Sequence, residues 1–595
     1  MGEEVKVIKG LDRVLGEENW GRPKWVPGYR QPKLKMSYFG RTGWLPKERT
    51  IGDYWEQAVK MNPDGLAFVD TVEGEEWAVT YKEAAILVKR LALTLIDMGI
   101  KPGGKVATAM LNSVAFALSI LAINYIGAVW VPLHAFLREA EWRYILRHAD
   151  VEVLICDELH RGYSLAKLAS NLQPEMDLLK KVIVRGNPEP GQMLFYDVIK
   201  KDWSDKYSGN YLENVYFKEN LFTSDNVSEI IYTSGTTGPP KGAMHTHNTN
   251  LCHSLGHVHT YNLDSKDSLL NLAIMSHQHG YGVLWLPFVI SALPIYLVGD
   301  WNPDNVLKTI DKYKPTMVGL NPPIVTALTR HPDIGEYDTS SIKAFVTAGA
   351  PLPVTSSEEA YKKMKNPDFR MFNVYGMSEC NGECSTPWEF IVSPEFPAKS
   401  VGWPLIDAEV KITEVGNRDK IIPVGKQGEI GCKGSLVGVG YYKDPERTHA
   451  DWDTKGWMYS GDLGEMDEEG NIYITGRAKD IILRGGNVVQ PLFIEEFIRQ
   501  YSGVADVTIV GIPHDTLTEA VCAVIAPKEK GKVFTREEIY NFMKDKIARD
   551  NIPDRIETWD SLIYTATGKQ IKYRIREKVL ENMRKEITDS ERKDN

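Results

Sequence analysis

Tyr232-Thr-Ser-Gly-Thr-Thr-Gly-Pro-Pro-Lys-Gly242 follows directly on the apolar run Ser228–Tyr232. Gly235 and Gly238 let the backbone reverse and turn its amide groups outward. Thr233, Ser234, Thr236 and Thr237 set four hydroxyls beside those amides, and Lys241 adds a positive charge. A concave array of donors of this kind suits polyphosphate oxygens. The spacing G-x-x-x-x-G-K-[ST] is absent, so this is not the Walker loop. By composition alone a Ser/Thr/Gly surface turn reads equally well.

Outward from this stretch, short apolar runs alternate with helical patterns. Strands are predicted at Lys105–Met110, Ala128–Val131, Val151–Ile155, Lys181–Val184 and Glu229–Tyr232, and helices at Tyr81–Met98 and Val114–Tyr125. Such alternation favours parallel sheets covered by helices, an α/β fold. Residues 1–50 are rich in Trp, Gly, Pro and basic side chains without a period, and read as an irregular arm. After about residue 400, strand-like runs (Glu409–Ile412, Gly428–Cys432) and Gly-rich turns continue to Gly476, predicting a small β-rich subdomain. Beyond Arg477 lies a compact α+β unit with strands at Asp506–Ile512 and Ala520–Ala526 and a helix at Thr535–Ile547. The expected organisation is an arm (1–50), a large domain (51–478, with the β-rich subdomain at about 400–476) and a C-terminal domain (479–595).

The 595 residues carry 70 basic and 80 acidic side chains, a formal charge of -10 with no basic stripe, which argues against a nucleic-acid binder. The mixed charges of Lys572–Lys593 read as a solvated helix. Six scattered cysteines make no disulfide framework and suit a reducing cytoplasm. The close pair Cys380 and Cys384 lacks the further ligands a metal site needs. The N-terminus has no apolar signal segment, and Lys6 stands where a myristoylation motif wants Ser or Thr. Two uncharged stretches, Ser113–Leu133 and Gly282–Gly299, have the length of a membrane span. Asn124, Gly127 and Pro132 interrupt the first, and Pro287 and Pro294 the second, so each is expected to be a buried helix running into a buried strand.

The full string at 232–242 resembles the signature of the adenylate-forming (ANL) superfamily, which contains acyl-CoA synthetases, peptide-synthetase adenylation domains and firefly luciferase. The resemblance runs from about Thr50 to about Lys572, with further motifs in the expected order. It implies an ANL fold: a large N-terminal domain of layered sheets with a β-rich subdomain, and a small mobile C-terminal domain. Asn373-Val-Tyr-Gly-Met-Ser-Glu379 looks like the adenine and magnesium motif. That implies nucleotide binding by Asn373, Tyr375, Gly376 and Met377, with Tyr375 stacked on adenine, Ser378 on phosphate and Glu379 on Mg²⁺; Mg²⁺ does prefer few carboxylates plus phosphate oxygens. Gly349, Ala350 and Pro351, in Thr347–Leu352, resemble the segment on adenine's other face.

Tyr459-Ser-Gly-Asp-Leu-Gly464 resembles the ribose motif and assigns Asp462 to the two ribose hydroxyls. Gly476-Arg-Ala-Lys-Asp480 resembles the interdomain hinge, with Arg477 on ribose or phosphate, Lys479 as pivot, and Gly485 and Gly486 beside the pantetheine arm of coenzyme A. Phe493 departs from the acidic residue that many relatives carry there. Thr565-Ala-Thr-Gly-Lys-Gln570 occupies the place of the catalytic lysine, Lys569, with Lys572 as the following basic residue; Ile563 and Tyr564 replace the usual proline. A lysine there stabilises charge as a carboxylate attacks the α-phosphorus. In Ser276-His-Gln-His-Gly-Tyr-Gly282 both His277 and His279 fit the position beside the acid's carboxylate, and Trp285 and Phe288 read as acyl-cavity lining or as core.

The resemblance thus implies an AMP-forming acid–thiol ligase that uses ATP, Mg²⁺ and coenzyme A on a small-molecule carboxylic acid whose chain length and class the sequence leaves open. Its rivals are an acyl-AMP ligase serving a free-standing carrier protein, a silent nucleotide-binding regulator, and a transporter. The presence together of Glu379, Asp462, Arg477 and Lys569 opposes the regulator.

Overall fold

Ser113 is followed by twelve residues without a charge, and its hydroxyl accepts the Phe116 amide to start the helix Val114–Tyr125. Every residue of that helix is buried, the state expected of a helix apolar on all sides. Asp70, at the end of a strand, accepts the Val114 N–H at 2.7 Å, and burial pushes its carboxyl up to about 6. The computed structural model describes residues 36–38, 49–71, 76–233, 240–386, 393–405, 408–484, 487–489, 491–514, 517–544, 546–547, 549–565 and 569–593. Ser234, Gly235, Thr236, Thr237, Gly238, Gly485 and Gly486 lie outside them, as does nearly all of the arm 1–50.

The chain divides into two compact units, Met1–Val410 with Cys432–Met458, and Lys411–Gly431 with Tyr459–Asn595. Among the described residues, the first unit holds two large sheets and a two-stranded ribbon, Leu159–His160 with Tyr163–Ser164. One has seven strands in the order Met193–Leu194, Lys181–Arg185, Val151–Asp157, Lys105–Ala109, Val129–Pro132, Val227–Thr233, Lys241–Thr246. All neighbours are parallel except the last pair, which is an antiparallel hairpin. The other has nine strands; its centre, from Arg370–Met377 to Leu66–Asp70, is parallel, and both edges are antiparallel. The largest core cluster joins the helices Ile51–Met61, Tyr81–Asp97 and Val114–Tyr125 to Phe68, Tyr281, Trp285 and Phe288.

The two stretches of membrane-span length are interior elements. Ser113–Leu133 is a buried helix and a buried strand, and Gly282–Gly299 runs from a π-helical turn, His279–Trp285, through the helix Leu286–Ile290 to the strand Ile295–Leu297. Among the described residues no helix is long and apolar enough to cross a membrane. The six cysteines are buried and form no disulfide.

In the second unit Thr518–Pro527 is the central strand of a five-stranded sheet, antiparallel to Val504–His514 and parallel to Arg555–Thr558. The helix predicted at Thr535–Ile547 is shorter, Arg536–Met543. Thr535 and Glu538 form its capping box, and the chain leaves helical geometry at Lys544, which lets Ile547 pack on the same core from beyond the helix.

Candidate active site

The strand Val227–Thr233 and its hairpin partner Lys241–Thr246 bring Thr233 opposite Lys241, so these two residues flank the segment 234–239, expected from the sequence to hold phosphate. Lys241 Nζ lies 3.3 Å from Asp451 Oδ2 and 3.4 Å from the Tyr441 hydroxyl. That hydroxyl is in turn 2.8 Å from Glu379 Oε1 and 2.8 Å from Asp451 Oδ2. A phenol has one proton to donate, so Tyr441 serves one carboxylate at a time and the ammonium of Lys241 offsets the other. Burial, with Glu379 and Asp451 beside it, pushes the Tyr441 hydroxyl far above its ordinary range and keeps it protonated. Tyr441 packs against Ile231 and Ala243, which anchors this network to the hairpin itself. The sequence reading found Lys241 and Glu379; it missed Tyr441 and Asp451, which sit 200 and 210 residues from Lys241.

The segment 373–379, expected from the sequence to hold adenine, is a strand and a turn. Asn373–Met377 belong to the strand Arg370–Met377, which runs parallel to Ala344–Ala348 and antiparallel to Asn381–Ser385. Gly349, Ala350 and Pro351 leave the C-terminal end of the strand Ala344–Ala348, where open parallel sheets place their ligands. Gly349 turns the chain at φ 84°, in the left-handed region, with nothing within 4 Å of the place a Cβ would take. The Asn373 side-chain amide donates to the Pro397 carbonyl at 2.7 Å, which locks the strand. Tyr375, Gly376 and Met377 are half-buried opposite Cys384, Gly382 and Asn381. The Ser378 carbonyl accepts from His245 Nε2 at 2.6 Å, and the Glu379 carbonyl accepts the Gly438 N–H at 2.8 Å. Among the described residues no three His, Cys, Asp or Glu side chains group as a metal site. The donor chemistry available to Mg²⁺ is then the Glu379 carboxylate with phosphate oxygens, a set that fits this ion.

His277 and His279 have different surroundings. His277 is half-buried, with its ring 6.3 Å from that of His134, and its Nδ1 accepts the His279 N–H. His279 is buried, and burial pushes its imidazole down to about 4. Trp285 and Phe288 are wholly buried; Trp285 stacks on Tyr281 and Phe68 in the main core.

In the second unit, Asp462 and Arg477 stand opposite each other on paired strands, Arg477 Nε 2.7 Å from Asp462 Oδ1. The carboxylate is buried and the guanidinium more open, an arrangement that holds the acceptor in place for hydroxyl donors. Lys479 follows, exposed, in the single turn Ala478–Asp480. Lys569 is exposed, its N–H bonded to Thr565 Oγ1 at 3.0 Å. Lys572 is tied to the buried Glu495 at 2.7 Å, and Phe493 is about half exposed on the same helix, Pro491–Arg499.

The AMP-binding enzyme family matches residues 55–442, and the AMP-binding enzyme C-terminal domain matches residues 494–569. YngI of Bacillus subtilis (strain 168), whose name places it among acyl-CoA synthetases, is 32% identical over 551 residues, covering 89% of this chain and 97% of the relative. A medium-chain fatty-acid–CoA ligase of Escherichia coli (strain K12) is 28% identical over 552 residues, covering 91% and 92%. The crystal structure of ATP-bound MatB from Rhodopseudomonas palustris superposes with a TM-score of 0.76 at 24% identity, over 89% of this chain and 99% of that one, a likeness of fold.

Proposed function

The chain belongs to the AMP-binding enzyme family, and from that premise we propose that it is an AMP-forming acyl-CoA ligase. A carboxylic acid and ATP give acyl-AMP and pyrophosphate, and the thiol of coenzyme A then displaces AMP. The observation that carries this reading is the network Lys241–Asp451–Tyr441–Glu379, anchored at the base of the segment 234–239.

In the first half-reaction Thr233, Ser234, Gly235, Thr236, Thr237, Gly238 and Lys241 hold the phosphates. Mg²⁺, when bound, neutralises phosphate charge, and Glu379 is the residue that would hold it. Tyr441 and Asp451 fix the Glu379 carboxylate. Gly349, Ala350 and Pro351 on one side and Asn373, Tyr375, Gly376, Met377 and Ser378 on the other receive the adenosine and α-phosphate. Asp462, oriented by Arg477, accepts both ribose hydroxyls. His279, neutral in its buried position, or His277 at the rim positions the acid's carboxylate. Lys569 stabilises the charge that builds as that carboxylate attacks phosphorus. In the second half-reaction coenzyme A enters beside Gly485 and Gly486, and Lys479 serves as the hinge between the two steps. A cytoplasmic location belongs to the same proposal, supported by six buried cysteines that form no disulfide.

Labelled pyrophosphate should exchange into ATP in an acid-dependent manner without coenzyme A, because acyl-AMP formation is reversible on the enzyme. No exchange with any member of a broad acid panel would overturn the reading.

A further inference from the structure

The segment Ile563–Ile571, which carries Lys569, is tied to its own sheet at one carboxylate. Its two arms meet in backbone bonds: the Ile571 N–H donates to the Ile563 carbonyl at 2.8 Å and the Thr565 N–H to the Lys569 carbonyl at 2.6 Å, with Tyr564 and Gln570 paired between them. Just before the segment, Leu562 is buried in a cluster with Val510, Ile512 and Val524 on one face of the five-stranded sheet. The stretch Ser561–Ile571 contains no proline, so bonds rather than a rigid ring fix where the arms sit. At the start of the strand Val504–His514 one extra residue is taken in between Val504 and Asp506. A bulge of this kind re-aims the side chains beside it. Asp506 Oδ2 accepts the Tyr564 hydroxyl at 2.7 Å and Gln570 Nε2 at 2.9 Å, one bond from each arm.

The carboxylate is itself held from behind. Asp506 Oδ1 accepts from Arg499 Nε and Nη2, each at 3.2 Å, and from the Val507 N–H at 2.8 Å. The Gln570 amide makes a second bond, to the Val507 carbonyl at 3.2 Å, so it spans the side chain of Asp506 and the backbone after it. Burial and the Asp506 carboxylate push the Tyr564 hydroxyl above its ordinary range and keep it a donor. Beyond Lys569 the chain is tied a second time: Lys572 pairs with Glu495 Oε1, which also accepts the Ile509 N–H at 2.8 Å. An isolated surface ion pair contributes little to stability. Here one oxygen instead joins the residue next to Lys569, Gln570, to Tyr564, whose neighbour Thr565 accepts the Lys569 N–H at 3.0 Å. What this arrangement fixes is the place of Lys569 on the sheet.

We propose that Asp506 is a positioning residue for acyl-AMP formation: by clamping Tyr564 and Gln570 together it sets the base of the two arms that carry Lys569. This rests on the assignment of Lys569 to the first half-reaction, in which the acid's carboxylate oxygen bonds to the α-phosphorus as the bond to the leaving pyrophosphate breaks. A lysine stabilises charge developing there only if it is held in register with it, and a misplacement of about 1 Å can cost about 10²-fold in rate. Asp506 acts through Lys569, so its influence belongs to the half-reaction that uses Lys569 and not to the other.

The test measures the two half-reactions separately in the 595-residue chain: single-turnover pyrophosphate release from MgATP and acid, and thioester formation from preformed acyl-AMP and coenzyme A. Asp506→Ala should slow the first by about 10–10²-fold and leave the second within about 2-fold of wild type. Added to Lys569→Ala, it should deepen that variant's loss by less than about 2-fold, because changes that act through one group do not add. Three results would each overturn the proposal: equal slowing of both half-reactions, an Asp506→Ala variant as fast as wild type, or a loss that multiplies in full with that of Lys569→Ala. Should Asp506→Ala fail to fold, Tyr564→Phe combined with Gln570→Leu opens the clamp and leaves the Asp506–Arg499 pair in place. That variant should lose about 10-fold in the first half-reaction alone, and slowing of both half-reactions alike, or of neither, would overturn the proposal. A wild-type enzyme that forms no acyl-AMP, or Lys569→Ala forming it as fast as wild type, would defeat the functional reading without any change at Asp506, and this proposal would fall with it.

Discussion

Glu229 titrates near 4.5 when solvated and near 8 in the folded chain, where burial penalises its charged form. Between those values the folded state keeps a proton that the unfolded state has lost, so stability falls as pH rises across that window. The drift amounts to something on the order of 3–5 kcal/mol over the full range. Glu229→Gln removes it. Thermal melts at pH 5 and pH 8 should show the variant gaining on the wild type at the higher pH, whereas a pH-independent gap would mean that Glu229 is already ionised. Five buried histidines, His245, His247, His253, His257 and His279, act in the opposite direction: burial lowers each, so the stability they share is present above about 6.5 and is lost as pH falls below it. Tyr441→Phe leaves the Glu379 and Asp451 carboxylates without their bridging hydroxyl. We expect the KM for MgATP to rise by about 10-fold with little change in melting temperature, as for loss of a hydrogen bond to a charged group; an unchanged KM would remove Tyr441 from the site. Little of this was legible in the sequence. A charged residue inside the apolar run Ser228–Tyr232 was a visible signal at Glu229, but Asn250 and Gln278 meet it only because a helix and a loop fold onto that strand.

Elements were more readable than the contacts between them. The helix Val114–Tyr125 matches its predicted bounds, because Ser113 caps one end and Gly127, at φ 72°, turns the chain beyond the other. It is buried on every side, so its packing reports the stability of the large unit. Leu118→Ala, at a position with no exposure, should cost about 2–5 kcal/mol and lower the midpoint in denaturant without altering acid specificity; a near-neutral effect would mean that this helix is not part of the cooperative core. The π-helical turn His279–Trp285 had no signature in periodicity, because its residues are apolar and aromatic in any register. The helix predicted through Ile547 overran for a related reason: Ile547 continues the apolar period, but it reaches the core after the chain has turned.

At the scale of the whole molecule, motif order along the chain carried the family and the fold. The network Lys241–Glu379–Tyr441–Asp451 was not recoverable in the same way, because its members are separated by long stretches of sequence and only the fold brings them together. Lys569 gives the clearest division of labour. Lys569→Ala should slow acyl-AMP formation by about 10²–10³-fold, as for loss of an oxyanion donor, while sparing thioester formation from preformed acyl-AMP. Equal damage to both half-reactions would remove Lys569 from its assigned role. The central claim, one chain that performs both half-reactions, is tested most directly by quantifying AMP and pyrophosphate from MgATP and an acid panel, with and without coenzyme A. The account predicts many turnovers of both products only when coenzyme A is present. A single turnover of pyrophosphate that coenzyme A does not change would contradict it, and would assign the acyl group to another acceptor.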